Sequence, residues 1–395
     1  MPRILRIINR FNLGGPTYNA AYLSRYLPPE FETKLIGGVP QPSEAHSGFI
    51  LDNLGVPYEE IPTLGRSINP ADDFRSFMRI RSIIREYKPD IVHTHAAKAG
   101  ALGRIAARMA GVPVIIHTFH GHVFDGYFSS WKSSLARMAE RKLAGISTAI
   151  IAISETQKYD LTVKYGIAPP EKVHVIPLGL DLDRFQINVA EKRKQFRHRY
   201  ELDDVDVAIG IIGRLTAIKQ HELFIKSIQH CLAGGVKCKA FIIGDGERFD
   251  ELKQLCLDHG LRISDNSAKQ ADIVFTSWLR NVDEVCAGLD IVSLTSLNEG
   301  TPVSLIEAQA TSRAVISTRV GGVADVIVNN RSGIIVDSFD HVKYGNAIIS
   351  LINQPSLRIE MGVEGRNYVL ERFSKERLVR DMDMLYKSLL SKHTG

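Results

Sequence analysis

Short apolar runs alternate with longer stretches of helical periodicity along the whole chain. Ile4–Ile8, Lys34–Gly37, Ile91–His93, Val114–Thr118 and Ala149–Ile153 are brief and rich in β-branched residues, the pattern of strands buried on both faces. Between them, Tyr18–Leu27, Phe74–Tyr87, Ala99–Ala110 and Lys132–Leu143 repeat their apolar positions at helical spacing. The pattern then restarts with Val207–Gly213, Lys239–Gly244, Ile273–Thr276, Ile291–Leu294, Ala314–Ser317 and Gly333–Val336. Strand–helix alternation of this kind predicts α/β architecture, here two doubly wound parallel sheets in tandem. Such units are expected to face across a cleft at the C-terminal ends of their strands. Val173–Phe185 (VHVIPLGLDLDRF) holds Pro177 and Gly179 and precedes a charged, helix-prone stretch, Glu191–Glu201, so the hinge is placed there. The predicted domains are residues 1–180 and 181–374, with the amphipathic Lys375–Ser391 in a segment, 375–395, that crosses back to the first domain.

The size of the chain agrees with two domains, because 395 residues exceed what one core usually serves. With 44% hydrophobic and 24% charged residues it reads as soluble and globular. A net charge of +5 suits an anionic small ligand or an anionic membrane surface and does not mark a dedicated nucleic-acid binder. The basic stretch Lys192–Arg199 is short and helical, and reads as a solvated face. Cys231, Cys238, Cys256 and Cys286 lack C-x-x-C spacing and are expected to be reduced core thiols. The opening MPRILRIINRFNLGG is too short and polar for a secretory signal and suits a first strand. No run approaches the ~18 apolar residues that cross a bilayer, so any membrane contact is expected to be peripheral.

Candidate chemistry concentrates in the second half. Asn298-Glu299-Gly300-Thr301-Pro302 follows a predicted strand and leads into Val303-Ser304-Leu305-Ile306-Glu307-Ala308, which opens a helix. The N–H groups and dipole of a helix N-terminus favour a phosphate. Glu299 and Glu307 cannot favour phosphate, so they suit hydrogen bonds from sugar hydroxyls, or else ordinary helix capping. Arg214, after Gly213, and Lys219 put two cations at the start of the next helix, where only an anion makes them favourable. They read as a diphosphate clamp or as a solvated basic loop. Gly244-Asp245-Gly246 after the following strand would permit close ligand approach.

Taken together, these elements resemble the retaining glycosyltransferases of family 4, whose GT-B fold pairs two Rossmann-like domains. The resemblance rests on Gly14-Gly15, Asp90–His95 (DIVHTH), Thr118-Phe119-His120-Gly121, Ile153-Ser154-Glu155 and the VIPLGLD hinge. It continues through Gly213-Arg214 with Lys219 and the Glu299–Glu307 block ending at Gly321-Gly322, all in the family's order. It implies that Arg214 and Lys219 bind the donor diphosphate and stabilise its departure, with no cofactor and no obligatory metal. Glu307 would accept hydrogen bonds from the ribose and Glu299 from the donor sugar. Backbone amides of Gly300, Thr301, Val303 and Ser304, with Pro302 among them, would line the sugar and phosphates. Gly15 would let an amide approach the diphosphate, and His120 would contact the transferred sugar. The nucleobase is expected against Ser277–Asn281.

The activity so implied moves a hexose or N-acetylhexosamine from a nucleoside-diphosphate sugar, UDP-linked, to a hydroxyl of a glycan or lipid-linked glycan. The configuration would be retained by front-face displacement, with domain closure over the cleft. Phe124, Tyr127 and Phe128 could wall the acceptor or simply anchor a loop. The helix Trp131–Leu143, with Trp131, Leu135 and Met138 on one side and Lys132, Arg137, Arg141 and Lys142 beside them, could meet anionic lipid or just pack. The setting implied is cytoplasmic, peripheral on the inner face of the membrane, in bacterial surface-glycan assembly. The paired histidines 93–95 and 120–122 lack further ligands for a metal, and Asp181–Asp183 sits in the hinge turn and is discounted. Two rivals remain at this stage, a nucleotide-sugar epimerase or hydrolase of the same architecture and a non-catalytic nucleotide-sugar-binding protein.

Overall fold

The computed structural model describes residues 1–12, 14–41, 46–65, 67, 69–121 and 130–394, with backbone only for 130–132 and 394. The chain divides into two compact units, Met1–Leu180 with Phe373–Gly395, and Asp181–Arg372. Each is built on one seven-stranded sheet whose paired strands are parallel throughout.

The strands of the first unit are β1 (Arg3–Ile8), β2 (Glu32–Gly38), β3 (Tyr58–Ile61), β4 (Ile91–His95), β5 (Val114–Phe119), β6 (Ala149–Ala152) and β7 (Val173–Val175). Their order is β3-β2-β1-β4-β5-β6-β7. Its helices are α1 (Gly15–Tyr26), α2 (Gly48–Leu54), α3 (Pro70–Tyr87), α4 (Ala97–Met109), α5 (Ser130–Ile146) and α6 (Glu155–Tyr159). Strand order reverses between β1 and β4, and at such a point the chain leaves the two strands on opposite faces and opens a crevice.

The second unit repeats the plan. Its strands are β8 (Ala208–Ile212), β9 (Lys239–Ile243), β10 (Ile263–Ser264), β11 (Ile273–Ser277), β12 (Ile291–Leu294), β13 (Ala314–Thr318) and β14 (Ile334–Val336). They are ordered β10-β11-β9-β8-β12-β13-β14, so the reversal falls between β8 and β12. The helices are α7 (Val189–Arg199), α8 (His221–Ala233), α9 (Phe249–Asp258), α10 (Val282–Gly288), α11 (Val303–Ala310), α12 (Val323–Val326), α13 (His341–Asn353) and α14 (Pro355–Phe373).

The last helix, α15 (Lys375–Thr394), belongs to the first unit. Leu378, Met382, Tyr386 and Leu389 recur every three or four residues and are buried with Ile4, Leu23, Ile91, Val114 and Ile116. Helices α3 and α4 pack on the opposite face of the sheet, with Ile80, Ile83, Ile84, Ala99, Ala106 and Ala107 against Leu5, Ile36 and Val92. The crossing near Leu180 is tied down locally: its N–H donates to the Phe373 carbonyl at 2.8 Å, and Arg377 Nη2 donates to the carbonyls of Pro177 and Leu178 at 2.8 Å each.

Two expectations are corrected here. Val173–Val175, placed in the hinge, pairs with β6 as the seventh strand of the first sheet. The basic stretch Lys192–Arg199 is a solvated face only at Lys194, Gln195, His198 and Arg199. Lys192 pairs with Asp283 at 2.8 Å, Arg193 with Asp290 at 2.8 Å, and buried Arg197 with Asp290 at 3.4 Å. These ion pairs fasten α7 to α10 and to the residue that leads into β12. The four cysteines are free and buried, and burial pushes the thiols of Cys231, Cys238 and Cys256 up to about 12. Among the described residues no helix is long and apolar enough to cross a membrane.

Because α15 supplies buried apolar surface to the first sheet, Leu378→Ala should lower stability by about 2–5 kcal/mol. Arg380→Ala, on the exposed side of the same helix, should change it by no more than about 0.5 kcal/mol. Denaturant midpoints of the two variants check this.

Candidate donor site of the second unit

The loops that follow β8 and β12 meet at the strand-order reversal of the second sheet, and they carry most of the chemistry. Lys219 ends a short 3-10 turn, Ala217–Lys219, just ahead of α8. Its Nζ lies 2.6 Å from Glu299 Oε1, and Ser296 Oγ donates to the same oxygen at 2.6 Å. The pair is largely withdrawn from solvent, with 26% of the lysine and 12% of the glutamate side chain exposed. A charge so placed needs a close counter-charge. Each of these two supplies it to the other.

The backbone around the pair is fixed from several directions. Thr295 Oγ1 donates to the carbonyls of Lys219 and Gln220 at 2.9 Å each, and the Leu297 N–H donates to the Ile218 carbonyl at 2.8 Å. Thr318 Oγ1, at the end of β13, donates to the Ser296 carbonyl at 2.9 Å. Gly321 takes φ +45, and a Cβ there would lie 1.8 Å from the Glu299 carbonyl oxygen. At Gly322 it would lie 1.9 Å from that of Gly300, so the Gly321-Gly322 pair lets this turn press onto the Glu299–Gly300 loop.

Arg214 lies on the same loop as Lys219. Its side chain is exposed, and among the described residues it has no ion pair. The loop is held through its backbone, with the Gly213 N–H on the Ile243 carbonyl at 2.9 Å and the Leu215 N–H on that of Asp245 at 3.0 Å. The Gly244-Asp245-Gly246 expectation changes accordingly. A Cβ on Gly244 would fall 1.9 Å from the Gly213 carbonyl oxygen, and one on Gly246 would fall 2.5 Å from that of Leu215. These glycines admit the neighbouring loop. Ser277, which opens the stretch expected to hold the base, donates from Oγ to Asp245 Oδ2 at 2.9 Å.

Helix α11 begins at Val303 behind Pro302 and has no side-chain cap. Its first N–H groups are therefore available to an acceptor from outside the helix. Glu307 lies two turns or less along it. Its side chain is 18% exposed, and the nearest cation is Arg184 at 3.8 Å. Burial raises its carboxyl to about 7, against a weaker opposing pull from Arg184. In the unfolded chain this group ionises at its ordinary value, near 4.5. Between about 4.5 and 7 the folded state binds more protons, so this group's contribution to stability falls as pH rises.

In the first unit Gly15 opens α1 behind Gly14, and the helix has no side-chain cap. A Cβ at Gly15 would meet only Leu178 Cδ1, at 3.6 Å. His120 follows β5, and its Nε2 lies 2.9 Å from Nδ1 of His95. Burial lowers its pKa to about 4, so the ring is neutral near pH 7. His122, Phe124, Tyr127 and Phe128 lie outside the described residues. So does the side chain of Trp131. Of the cations on its helix, Arg141 is occupied by the carbonyls of Tyr165 and Gly166. Among the described residues no three His, Cys, Asp or Glu side chains group as metal ligands would.

The structure thus joins Lys219 to Glu299 and sets both beside the start of α11, whereas among the described residues it leaves Arg214, on the lysine's own loop, without an ion pair. The scaffold of Thr295, Ser296 and Thr318 was not anticipated, nor were Arg184 beside Glu307 and His95 behind His120. Only the last had a sequence signal, the two-residue spacing of His93 and His95 that puts both on one face of a strand.

Residues 13–184 match the model of Glycosyltransferase Family 4, and residues 192–368 match that of Glycosyl transferases group 1. The UDP-Gal:alpha-D-GlcNAc-diphosphoundecaprenol alpha-1,3-galactosyltransferase of Escherichia coli is 28% identical over 330 residues, 82% of each chain. The capsular polysaccharide biosynthesis glycosyltransferase CapM of Staphylococcus aureus is 27% identical over 343 residues, 84% of this chain and 85% of that one. Among solved structures, a glycosyltransferase from Rickettsia africae ESF-5 superposes with a TM-score of 0.80 at 21% identity, covering 98% of each chain.

The buried carboxyl yields a prediction independent of catalysis. Glu307→Gln should be more stable than the parent at pH 8, and its advantage should shrink toward pH 5. Denaturant midpoints at the two pH values check it; an advantage that grows on acidification contradicts the raised pKa. Two matched family models, the sheet topology and the reversal-point loops lead to one conclusion: the chain belongs to the family 4 glycosyltransferases and has the GT-B fold.

Proposed function

We propose that this glycosyltransferase moves a hexose or N-acetylhexosamine from a UDP-linked donor to a hydroxyl of a glycan or lipid-linked glycan, with retention and without an obligatory metal. The observation that carries the reading is Lys219 against Glu299, next to the uncapped start of α11, with Arg214 exposed on the loop that bears the lysine. The E. coli relative, named for a UDP-galactose donor and a diphosphoundecaprenol-linked acceptor, supports the substrate classes. The CapM relative, named for capsular polysaccharide biosynthesis, supports the setting.

In this reading the diphosphate takes over Lys219 from Glu299, and Arg214 closes on it from the same loop. Both cations stabilise the charge that develops as the bond between the anomeric carbon and the phosphate oxygen breaks. The acceptor oxygen forms its bond on the face the leaving group vacates, and its proton passes to the departing phosphate oxygen. Glu299, released from Lys219, accepts from sugar hydroxyls. The amides of Gly300, Thr301, Val303 and Ser304, on either side of Pro302, run along sugar and phosphates, and Glu307 accepts from the ribose. The base rests against Ser277–Asn281. Gly15 and His120 act from the first unit, the one through its amide and the other on a sugar hydroxyl.

Arg214→Ala and Lys219→Ala should each lower kcat by about 100- to 1,000-fold, the usual cost of removing one preorganised electrostatic group. Circular dichroism should show both folded. Near-normal turnover in both would remove the diphosphate assignment. Product analysis by mass spectrometry should find donor consumed only when an acceptor is present. Consumption without acceptor would favour a hydrolase or epimerase, and binding of UDP without turnover would favour a non-catalytic binder.

A peripheral membrane location is also proposed, cytoplasmic and on the inner face. Phe74 and Met78 on α3, Ile105 and Met109 on α4, and Leu135 and Met138 on α5 are exposed apolar side chains on three successively packed helices. By charged residues α3 carries a net +1, and α4 and α5 carry +3 each, in a chain whose total is only +5. Apolar side chains among excess cations suit an anionic bilayer surface. The protein should sediment with vesicles of phosphatidylglycerol and not with phosphatidylcholine alone, and Leu135→Asp with Met138→Asp should weaken that binding. Equal recovery with both vesicle types would end the proposal.

A further inference from the structure

Glu299 and Glu307, the two carboxylates on either side of the start of α11, are held in opposite ways. One oxygen of Glu299 is taken twice, by Lys219 and by Ser296, at 2.6 Å each. Glu307 is nearly as enclosed, with 18% of its side chain exposed, yet among the described residues no hydrogen bond reaches either of its oxygens. The cation beside it is Arg184, whose Nη2 lies 3.8 Å from Glu307 Oε1. That is close enough for charge to act and too far for a hydrogen bond, so the lone pairs of the carboxylate stay open.

The turn that bears Arg184 fixes it there. It is the middle residue of the 3-10 turn Asp183–Phe185, and its guanidinium lies 4.8 Å from the centroid of the buried Phe185 ring. Lys192 Nζ, on α7, donates to the Arg184 carbonyl at 2.5 Å and pairs with Asp283 of α10 at 2.8 Å. One lysine thus holds the arginine's backbone and offsets the carboxylate that repels Glu307. The other titratable groups around α11 are already engaged or neutral. Glu284 of α10 pairs with Arg199 at 3.5 Å, burial pushes the Cys286 thiol well up and so keeps it neutral, and Arg313, ahead of β13, faces Asp290 and Cys286. Strands β12 and β13, which also pack on α11, carry no charged side chain.

We propose that Arg184 is a positioning residue for the donor: from its 3-10 turn it keeps Glu307 charged without occupying it, so that both carboxylate oxygens can accept from the ribose hydroxyls. This role rests on the proposed contact of Glu307 with the ribose. Burial and Asp283 both favour the protonated acid, and among the described residues Arg184 opposes them. A neutral carboxyl would keep a proton on one oxygen and accept more weakly through the other.

Titration calorimetry with UDP tests this. With its carboxyl raised to about 7, Glu307 is about half ionised at pH 7 in the parent. Arg184→Gln should move that midpoint up by about one pH unit, the low end of what a neighbouring cation does, because this one is half exposed. UDP should then bind about five-fold more weakly than to the parent at pH 7, and about equally at pH 9, where both carboxyls are ionised. The difference should vanish for 2′,3′-dideoxy-UDP, which lacks the ribose hydroxyls. Arg184→Lys, which keeps the charge, should bind UDP like the parent. Arg184→Met, a second uncharged side chain that still covers the Phe185 ring, should reproduce Arg184→Gln and guards against misfolding of one variant. No loss at pH 7, or a loss undiminished at pH 9 or with the dideoxy nucleotide, would overturn the role of Arg184 alone. Glu307→Gln that binds UDP as tightly as the parent at both pH values would instead remove the ribose contact on which it rests.

Discussion

An ammonium and a carboxylate held 2.6 Å apart, Lys219 and Glu299, occupy the place where the second sheet reverses its winding. Partly desolvated ions are costly alone, and each is tolerable here only because the other is present. The surrounding hydrogen bonds from Thr295, Ser296 and Thr318 serve that arrangement. So does the close turn at Gly321-Gly322. On the proposed reading, this pair is also what makes the site responsive. An arriving diphosphate satisfies the lysine better than one carboxylate does, and the carboxylate it frees turns to sugar hydroxyls.

The first unit relies on a different kind of polar burial. Arg6 and the histidines of β4 and β5 are buried as hydrogen-bonded, neutral or donor-only groups, with burial holding the imidazoles of His93 and His95 well below their ordinary pKa. Tyr386 comes from the far end of the chain to complete that network, among apolar side chains that also seat α15 on the sheet. The last helix of the chain is thus part of the first unit's core.

Much of the architecture was legible because buried parallel strands are short, β-branched and apolar, and because helical segments between them keep their period. Ile4–Ile8, Ile291–Leu294 and Ala314–Ser317 all lie within strands of the structure. The edge strands were harder. Tyr58–Ile61 contains two glutamates and Ile263–Ser264 is two residues long, so neither presents an apolar run. Val173–Val175 was hidden by the proline and glycine that follow it. At the site, composition and order pointed to Lys219 and Glu299 separately, but residues eighty apart give no sign of pairing until the topology brings β8 and β12 together. The glycines of 244–246 gave no sign in the sequence of the backbone they admit, which comes from the loop of Gly213 and Leu215. The cations of 192–199 looked solvated because their carboxylate partners lie about ninety residues away.

On the proposed reading, Arg214 and Lys219 together neutralise the donor diphosphate. A crystal structure with UDP bound tests it most directly. Phosphate oxygens should lie within hydrogen-bond distance of both the Arg214 guanidinium and Lys219 Nζ, with the lysine drawn away from Glu299. A diphosphate bound elsewhere, with Lys219 still paired to Glu299 and Arg214 facing bulk solvent, would contradict it.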